Sequence, residues 1–274
     1  MLGELWNFAP LVLGLLAAGV LAGLIAGLLG VGGGIVMVPA MALAFEALGY
    51  DPAVYQHVAV GTSLAVIIAT GFASARAHYR RGAVMVGTLK VWGPFIVSAA
   101  LLGGLAARYF SGDALRIIFG VVALFVAVNI VLPVQRRLMA KLGESVLTNR
   151  IMAGIVGFVS ALMGIGGGSL SVPTLAAFGH SMHRAVGTSA ALGVMLALPG
   201  TIGFVVSGWD VAERPPFSLG YVNIVAMLII GVMAANVAPL GASLAHRLDQ
   251  KRLKGAFGLF LLVIALRMLW QALT

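Results

Sequence analysis

Two short segments carry most of the chemistry this chain can offer. Gly30–Pro39 reads GVGGGIVMVP, and Gly164–Pro173, 134 residues later, reads GIGGGSLSVP. Three consecutive glycines in an apolar run are poor helix and good irregular backbone. Successive N–H groups in such a turn can form an anion-binding concavity. The half-helix that follows, from Ile35 or from Ser169, aims the positive end of its dipole at the same spot. The candidate binding groups for a small anion are therefore Gly32, Gly33 and Gly34 in one copy and Gly166, Gly167, Gly168 and Ser169 in the other. A second paired element follows each turn, HVAVGTS at His57–Ser63 and HRAVGTS at His183–Ser189. Thr62, Ser63, Thr188 and Ser189 supply hydroxyl donors that oxyanion oxygens accept readily. His57 and His183 lie more than a helical turn before those hydroxyls, nearer the mouths, and are candidate gating or proton-coupling residues. Each has a plainer alternative: glycines that let helices pack closely, hydroxyls bonded to their own helix carbonyls, and histidines capping a helix.

The elements that must position these residues are membrane helices. The 274-residue chain is 61% hydrophobic and 9% charged, with a mean hydropathy of +1.08. A soluble domain is about 45–50% apolar and about 25% charged, so a soluble enzyme, a disordered tail and a nucleic-acid binder are excluded. The net charge of +9 fits cations gathered on cytoplasmic loops. Apolar stretches fall at 10–29, 35–48, 58–75, 83–107, 114–134, 150–164, 169–178, 185–207, 219–245 and 255–273. A crossing needs about 20 residues, and 35–48, 150–164 and 169–178 are short. If each glycine-broken segment crosses once, the loop Lys and Arg divide eight to seven; if each returns to its own side, they divide twelve to three. The positive-inside rule selects the returning form. The N-terminus carries Glu4 and no cation before its apolar run, unlike a signal peptide, so 10–29 reads as retained structure.

The expected fold is an all-α polytopic membrane protein of two inverted-topology repeats, each a re-entrant broken-helix hairpin plus three transmembrane helices. Residues 1–134 form the first repeat, with its hairpin at about 10–48. Residues 135–149 are a basic cytoplasmic linker, and 150–274 form the second, inverted repeat with its hairpin at about 150–178. Three crossings per repeat is an odd number, which turns the second repeat over. The predicted location is a bacterial-type inner cell membrane, multi-pass, with both termini outside. Inverted repeats with broken helices are the architecture of secondary transporters, with substrate near the midplane. Trp6, Trp92, Trp209 and Trp270 fall near segment ends and read as interfacial anchors.

Paired G-x-G-G-G-x4-P elements, each followed by A-V-G-T-S, resemble the TauE/SafE family of sulfite and organosulfur exporters, also called the toluene sulfonate uptake permeases. The resemblance covers roughly Ala22–Leu132 and Gly154–Trp270. It implies a carrier for a small sulfur-containing anion such as sulfite or a sulfonate, without fixing substrate or direction. The residues agree with an anion. All eight carboxylates fall in loops or at segment ends, whereas a cation carrier usually keeps one within the membrane. Zero cysteines remove thiolate chemistry. No G-x-S-x-G or H-E-x-x-H element is present, so an enzyme is not expected, nor is a cofactor or a metal. Secondary carriage by alternating access, a passive anion channel and a membrane scaffold without transport remain as readings. The expected partners are a small anionic substrate and the lipid bilayer, with no nucleic acid; a homo-oligomer is allowed.

Overall fold

The computed structural model describes residues 2–29, 33–131, 145–245 and 250–273. Ten α-helices appear among them: α1 (Leu2–Leu29), α2 (Gly34–Ala47), α3 (Pro52–Arg80), α4 (Val86–Ala106), α5 (Gly112–Val131), α6 (Val146–Met163), α7 (Gly168–Ala177), α8 (Met182–Ser207), α9 (Ile224–Ala245) and α10 (Gln250–Leu273). A 3-10 turn, Ala107–Tyr109, follows α4, and a two-stranded ribbon, β1 (Ser218–Leu219) with β2 (Val222–Asn223), precedes α9. The chain is an all-α multi-pass membrane protein; among the described residues six helices are long and apolar enough to cross a bilayer: α3, α4, α5, α6, α8 and α9.

Local chemistry sets several of these bounds. Asp51 caps α3 by accepting from the Ala53 amide at 2.8 Å, and Pro52 occupies the first helical position, where its missing N–H costs nothing. Ser145 caps α6 through the Thr148 amide, which starts that helix at Val146 and makes it 18 residues long. The apolar stretch at 150–164 is short of a crossing by itself; the capped first turn at 146–149 supplies the difference. Helix α10 opens with Lys251, Arg252 and Lys254 and is apolar over Phe257–Leu273. Helices α2 and α7 have 14 and 10 residues, too few to cross. The expected basic linker lies outside the described residues over 135–144.

The centre of the bundle is α3, buried on every side from Val54 to Ile67. It runs antiparallel to α8: Gly61 lies against Phe204, Leu64 against Gly200 and Gly71 against Val194. Helix α1 runs parallel to α9, with Gly19 facing Ile230 and Gly23 facing Ala234; α4 runs parallel to α6, with Gly157 against Ile96 and Gly103 against Phe158. Helix α5 packs on α10, with Gly120 against Leu269. Glycine at these crossings lets backbones meet where lipid supplies no hydrophobic drive. Gly14 lies 3.5 Å from Ala44 by the position a Cβ would take, so α2 folds back along α1 as a hairpin. One expectation fails. Trp92 is fully buried, its Nε1 donating to Asn149 Oδ1 at 2.8 Å and its ring edge-on to Phe178. Trp209 and Trp270 are exposed, as anchors would be.

Candidate functional site

The second glycine turn begins where Gly164, in the left-handed region (φ 66°), ends α6 and lets Ile165 N–H donate to Ser160 O. Helix α7 starts at Gly168, with Ser171 N–H donating to Gly167 O at 2.8 Å. The amides of Gly166, Gly167 and Gly168 donate to no carbonyl among the described residues. In the first turn Gly33 (φ 73°) is the residue before α2, and its carbonyl accepts from Val36 and Met37. Gly32 lies outside the described residues.

The two turns meet. A Cβ on Gly34 would stand 2.9 Å from Gly164 O, 3.2 Å from Gly166 N and 2.8 Å from Ile67 Cδ1. A Cβ on Gly164 would lie 2.8 Å from Val60 Cα and 2.9 Å from Val38 Cγ2, and one on Gly167 would lie 2.9 Å from Gly193 N. Only glycine permits this density of bare backbone. Ser63, on α3, closes the crossing by donating its hydroxyl to Gly164 O at 2.7 Å.

The threonines have a task that sequence reasoning did not anticipate. Thr62 Oγ1 accepts from the Asn223 amide at 2.9 Å, and Thr188 Oγ1 accepts from the Met85 amide, also at 2.9 Å. Asn223 and Met85 immediately precede α9 and α4, so each threonine satisfies the start of a helix in the opposite half. The glycine before each threonine makes room: a Cβ on Gly61 would collide with the Tyr221 carbonyl, and one on Gly187 would lie 2.7 Å from Ala83 O.

Four serine hydroxyls on the helices that flank the second turn or pack on it, Ser160 on α6, Ser169 and Ser171 on α7 and Ser189 on α8, are buried and make no hydrogen bond among the described residues. This is unusual for the molecule. Thr70, Ser98, Thr174 and Thr201 all donate to the carbonyl four residues earlier in their own helices. Buried hydroxyls left unpaired carry a desolvation cost, so this set of hydroxyls offers candidate donors to a ligand or to water. Among the described residues it carries no formal charge: the one buried cation, Arg116, is held by Asp113 at 2.7 Å and by the Tyr55 hydroxyl at 2.9 Å.

The two histidines do not occupy equivalent surroundings. His57 is buried, with Nδ1 2.9 Å from Ala53 O and Nε2 3.0 Å from both Ala107 O and Phe110 O, and its ring stacks on Tyr221 at 4.7 Å. It ties α3 to the turn after α4. His183 is exposed at the start of α8. Sequence reading also passed over Gln56, fully buried with neither amide atom paired. The signal was there, a glutamine inside an apolar helix beside a motif histidine.

A family model described as sulfite exporter TauE/SafE matches residues 15–268. The chain is 33% identical to a "Probable membrane transporter protein" of Haemophilus influenzae, over 92% of this chain and 96% of that one. It is 26% identical to one from Methanocaldococcus jannaschii, over 91% and 94% of the two chains. It is 25% identical to YunE of Bacillus subtilis, over 94% and 97%. No solved structure matches the chain. A match along almost its whole length, on a bundle of membrane-spanning helices built around the paired glycine turns, places this chain in the TauE/SafE sulfite exporter family of membrane transporters.

Proposed function

We propose that this transporter is a secondary carrier that moves a small sulfur-containing anion, sulfite or a sulfonate, by alternating access across a bacterial-type inner membrane. The observation that carries the reading is the meeting of Gly34 with Gly164 and Gly166, with four buried serine hydroxyls on α6, α7 and α8 left unpaired among the described residues. Donors of this kind suit an oxyanion: hydroxyls and the Gly166–Gly168 amides offer hydrogens to oxygens, and among the described residues no buried carboxylate competes for them. A neutral cradle also avoids the several kcal/mol that an unpaired charged side chain would cost in the empty site (about 2.5–3.5 kcal/mol or more at the bilayer centre).

Alternating access needs two halves that exchange roles, and the packing supports an inverted repeat. The contact of Gly23 with Ala234 is matched by that of Gly157 with Ile96, and the Thr62–Asn223 bond by the Thr188–Met85 bond. Each pair exchanges the halves. The equivalent helices α3 and α8 are antiparallel, as inversion requires. Two hairpins that crossed the membrane completely would place their turns about 30 Å apart, on opposite faces; turns in contact favour re-entry from both sides. With twelve loop cations on one side, both termini then lie outside. In this scheme His57 gates by holding or releasing the turn after α4, and proton coupling passes through it and His183.

The test is counterflow. Purified protein in liposomes loaded with unlabelled sulfite, thiosulfate or taurine is expected to accumulate the same labelled anion transiently from outside. Linear, non-saturating flux without exchange would replace the carrier with a channel, and selective flux of cations would overturn the anion assignment.

A further inference from the structure

We infer that Gln56 is a second substrate contact, an anion-selecting station one helical turn from the edge of the glycine crossing; this rests on the transport reading above. On α3, Gln56, Val60, Ser63 and Ile67 follow the i, i+4, i+7, i+11 spacing of one helix face. The last three are all fixed to the crossing. Val60 lies under Gly164, Ser63 donates to the Gly164 carbonyl, and Ile67 touches the positions that Cβ atoms on Gly34 and Gly166 would take. Gln56 is the next residue along that stripe, about 10 Å from Ser63 at 1.5 Å per residue, toward the end where α3 begins.

Its side chain is 0% exposed, and neither Nε2 nor Oε1 has a partner among the described residues. The fold is capable of doing better. The other buried amide, Asn223, is fully used: Nδ2 donates to Pro216 O and Ser218 Oγ, while Oδ1 accepts from Ala226 N–H. An amide that served only the fold would be satisfied in the same way. A passing oxyanion satisfies Gln56 instead. Nε2 donates to an anion oxygen, and Oε1 accepts a hydrogen from the same ion or from water that travels with it. The amide carries no charge, so it recognises the anion without trapping it.

The station belongs to one end of the pathway. The residue in the corresponding place of the second motif is Met182, which is 47% exposed. A carrier with a polar checkpoint at one mouth and none at the other treats its substrate differently from the two sides.

Gln56→Leu and Gln56→Glu variants in liposomes, assayed with radiolabelled sulfite and thiosulfate and compared by thermal unfolding, test this. Gln56→Leu is expected to raise KM by about 10- to 100-fold, the loss of a hydrogen bond to a charged group, while its melting temperature stays equal or rises because an unpaired amide is gone. Gln56→Glu, nearly isosteric, is expected to abolish uptake by repulsion. A Gln56→Leu protein with unchanged KM overturns the proposal and leaves anion transport standing. Loss of folding in Gln56→Leu also overturns it, by showing a structural role. A wild-type protein that moves neither probe overturns both.

Discussion

Adding one methyl group at Gly34 probes the crossing directly. The new Cβ would stand 2.9 Å from the Gly164 carbonyl oxygen and 3.2 Å from the Gly166 amide nitrogen. Ordinary contact begins near 3.4 Å, so the second turn must retreat by about half an ångström in a close-packed interior. Ile67 Cδ1, at 2.8 Å, can rotate away; the two backbone atoms cannot. Overpacking of this kind costs about 1–3 kcal/mol, and the better helix propensity of alanine returns at most about 1 kcal/mol. The expected net change in stability is a loss of about 0–2 kcal/mol. Function should suffer more, because a binding constellation tolerates only about 0.5 Å of displacement. Gly34→Ala is therefore expected to fold, unfold thermally a few degrees below wild type, and lose at least about tenfold in sulfite counterflow. Gly87→Ala and Gly154→Ala are the controls, since a Cβ at either position meets nothing within 4 Å; both should keep wild-type transport. If Gly34→Ala turns over at the wild-type rate, the crossing is not where substrate binds.

Thr62→Val leaves the Asn223 amide buried without an acceptor, and Thr188→Val takes the acceptor from the half-buried Met85 amide. Each should cost about 1–3 kcal/mol in denaturation measurements, while Thr→Ser at either site should restore most of it. A Thr62→Val protein as stable as wild type would show that the brace carries no weight. Asp113→Asn should be more harmful than its exposed position suggests. It removes the countercharge from the buried Arg116 guanidinium, leaving only neutral acceptors, the amide oxygen at 113 and the Tyr55 hydroxyl, and an uncompensated buried charge costs about 3–5 kcal/mol. Thermal unfolding checks this, and a loss within about 0.5 kcal/mol would mean that water already reaches Arg116.

What could be read from the sequence was whatever depends on near neighbours. Half-helices were expected from Ile35 and Ser169, and the helices start one residue earlier, at Gly34 and Gly168. Triple glycine and the left-handed φ at Gly33 and Gly164 are local properties. What escaped was whatever needs a distant partner. Trp92 looked interfacial because an indole at a segment end usually is; Asn149, on another helix, gives its N–H an acceptor in the interior. The threonines offered a choice between their own helix carbonyls and a ligand, and their partner proved to be a backbone amide of the other half. His57 and His183 share a motif position yet differ in burial, because the residue stacked on His57 is Tyr221, whereas Ala83 lies against the second motif at Gly187. The central place of α3 was also hidden, since nearly every segment of this chain is apolar.

This contrast separates scaffold from site. In A-V-G-T-S the glycine admits a neighbouring chain and the threonine caps a helix of the opposite half, so the motif would be required twice even without a substrate. The buried donors without partners are largely not duplicated. Ser160, Ser169 and Ser171 correspond to Ala26, Ile35 and Met37, and Gln56 to Met182. On the proposed function, duplication builds the frame and departures from it supply the recognition. The double variant Ser169→Ala, Ser171→Ala tests that division. Removing two buried, unpaired hydroxyls should leave the empty protein as stable as wild type or more stable, because each unmet hydroxyl costs about 1–3 kcal/mol. Transport should fall nonetheless, through a higher KM, if those hydroxyls pair with bound substrate as proposed. A variant that loses stability and keeps its KM would return both serines to the scaffold.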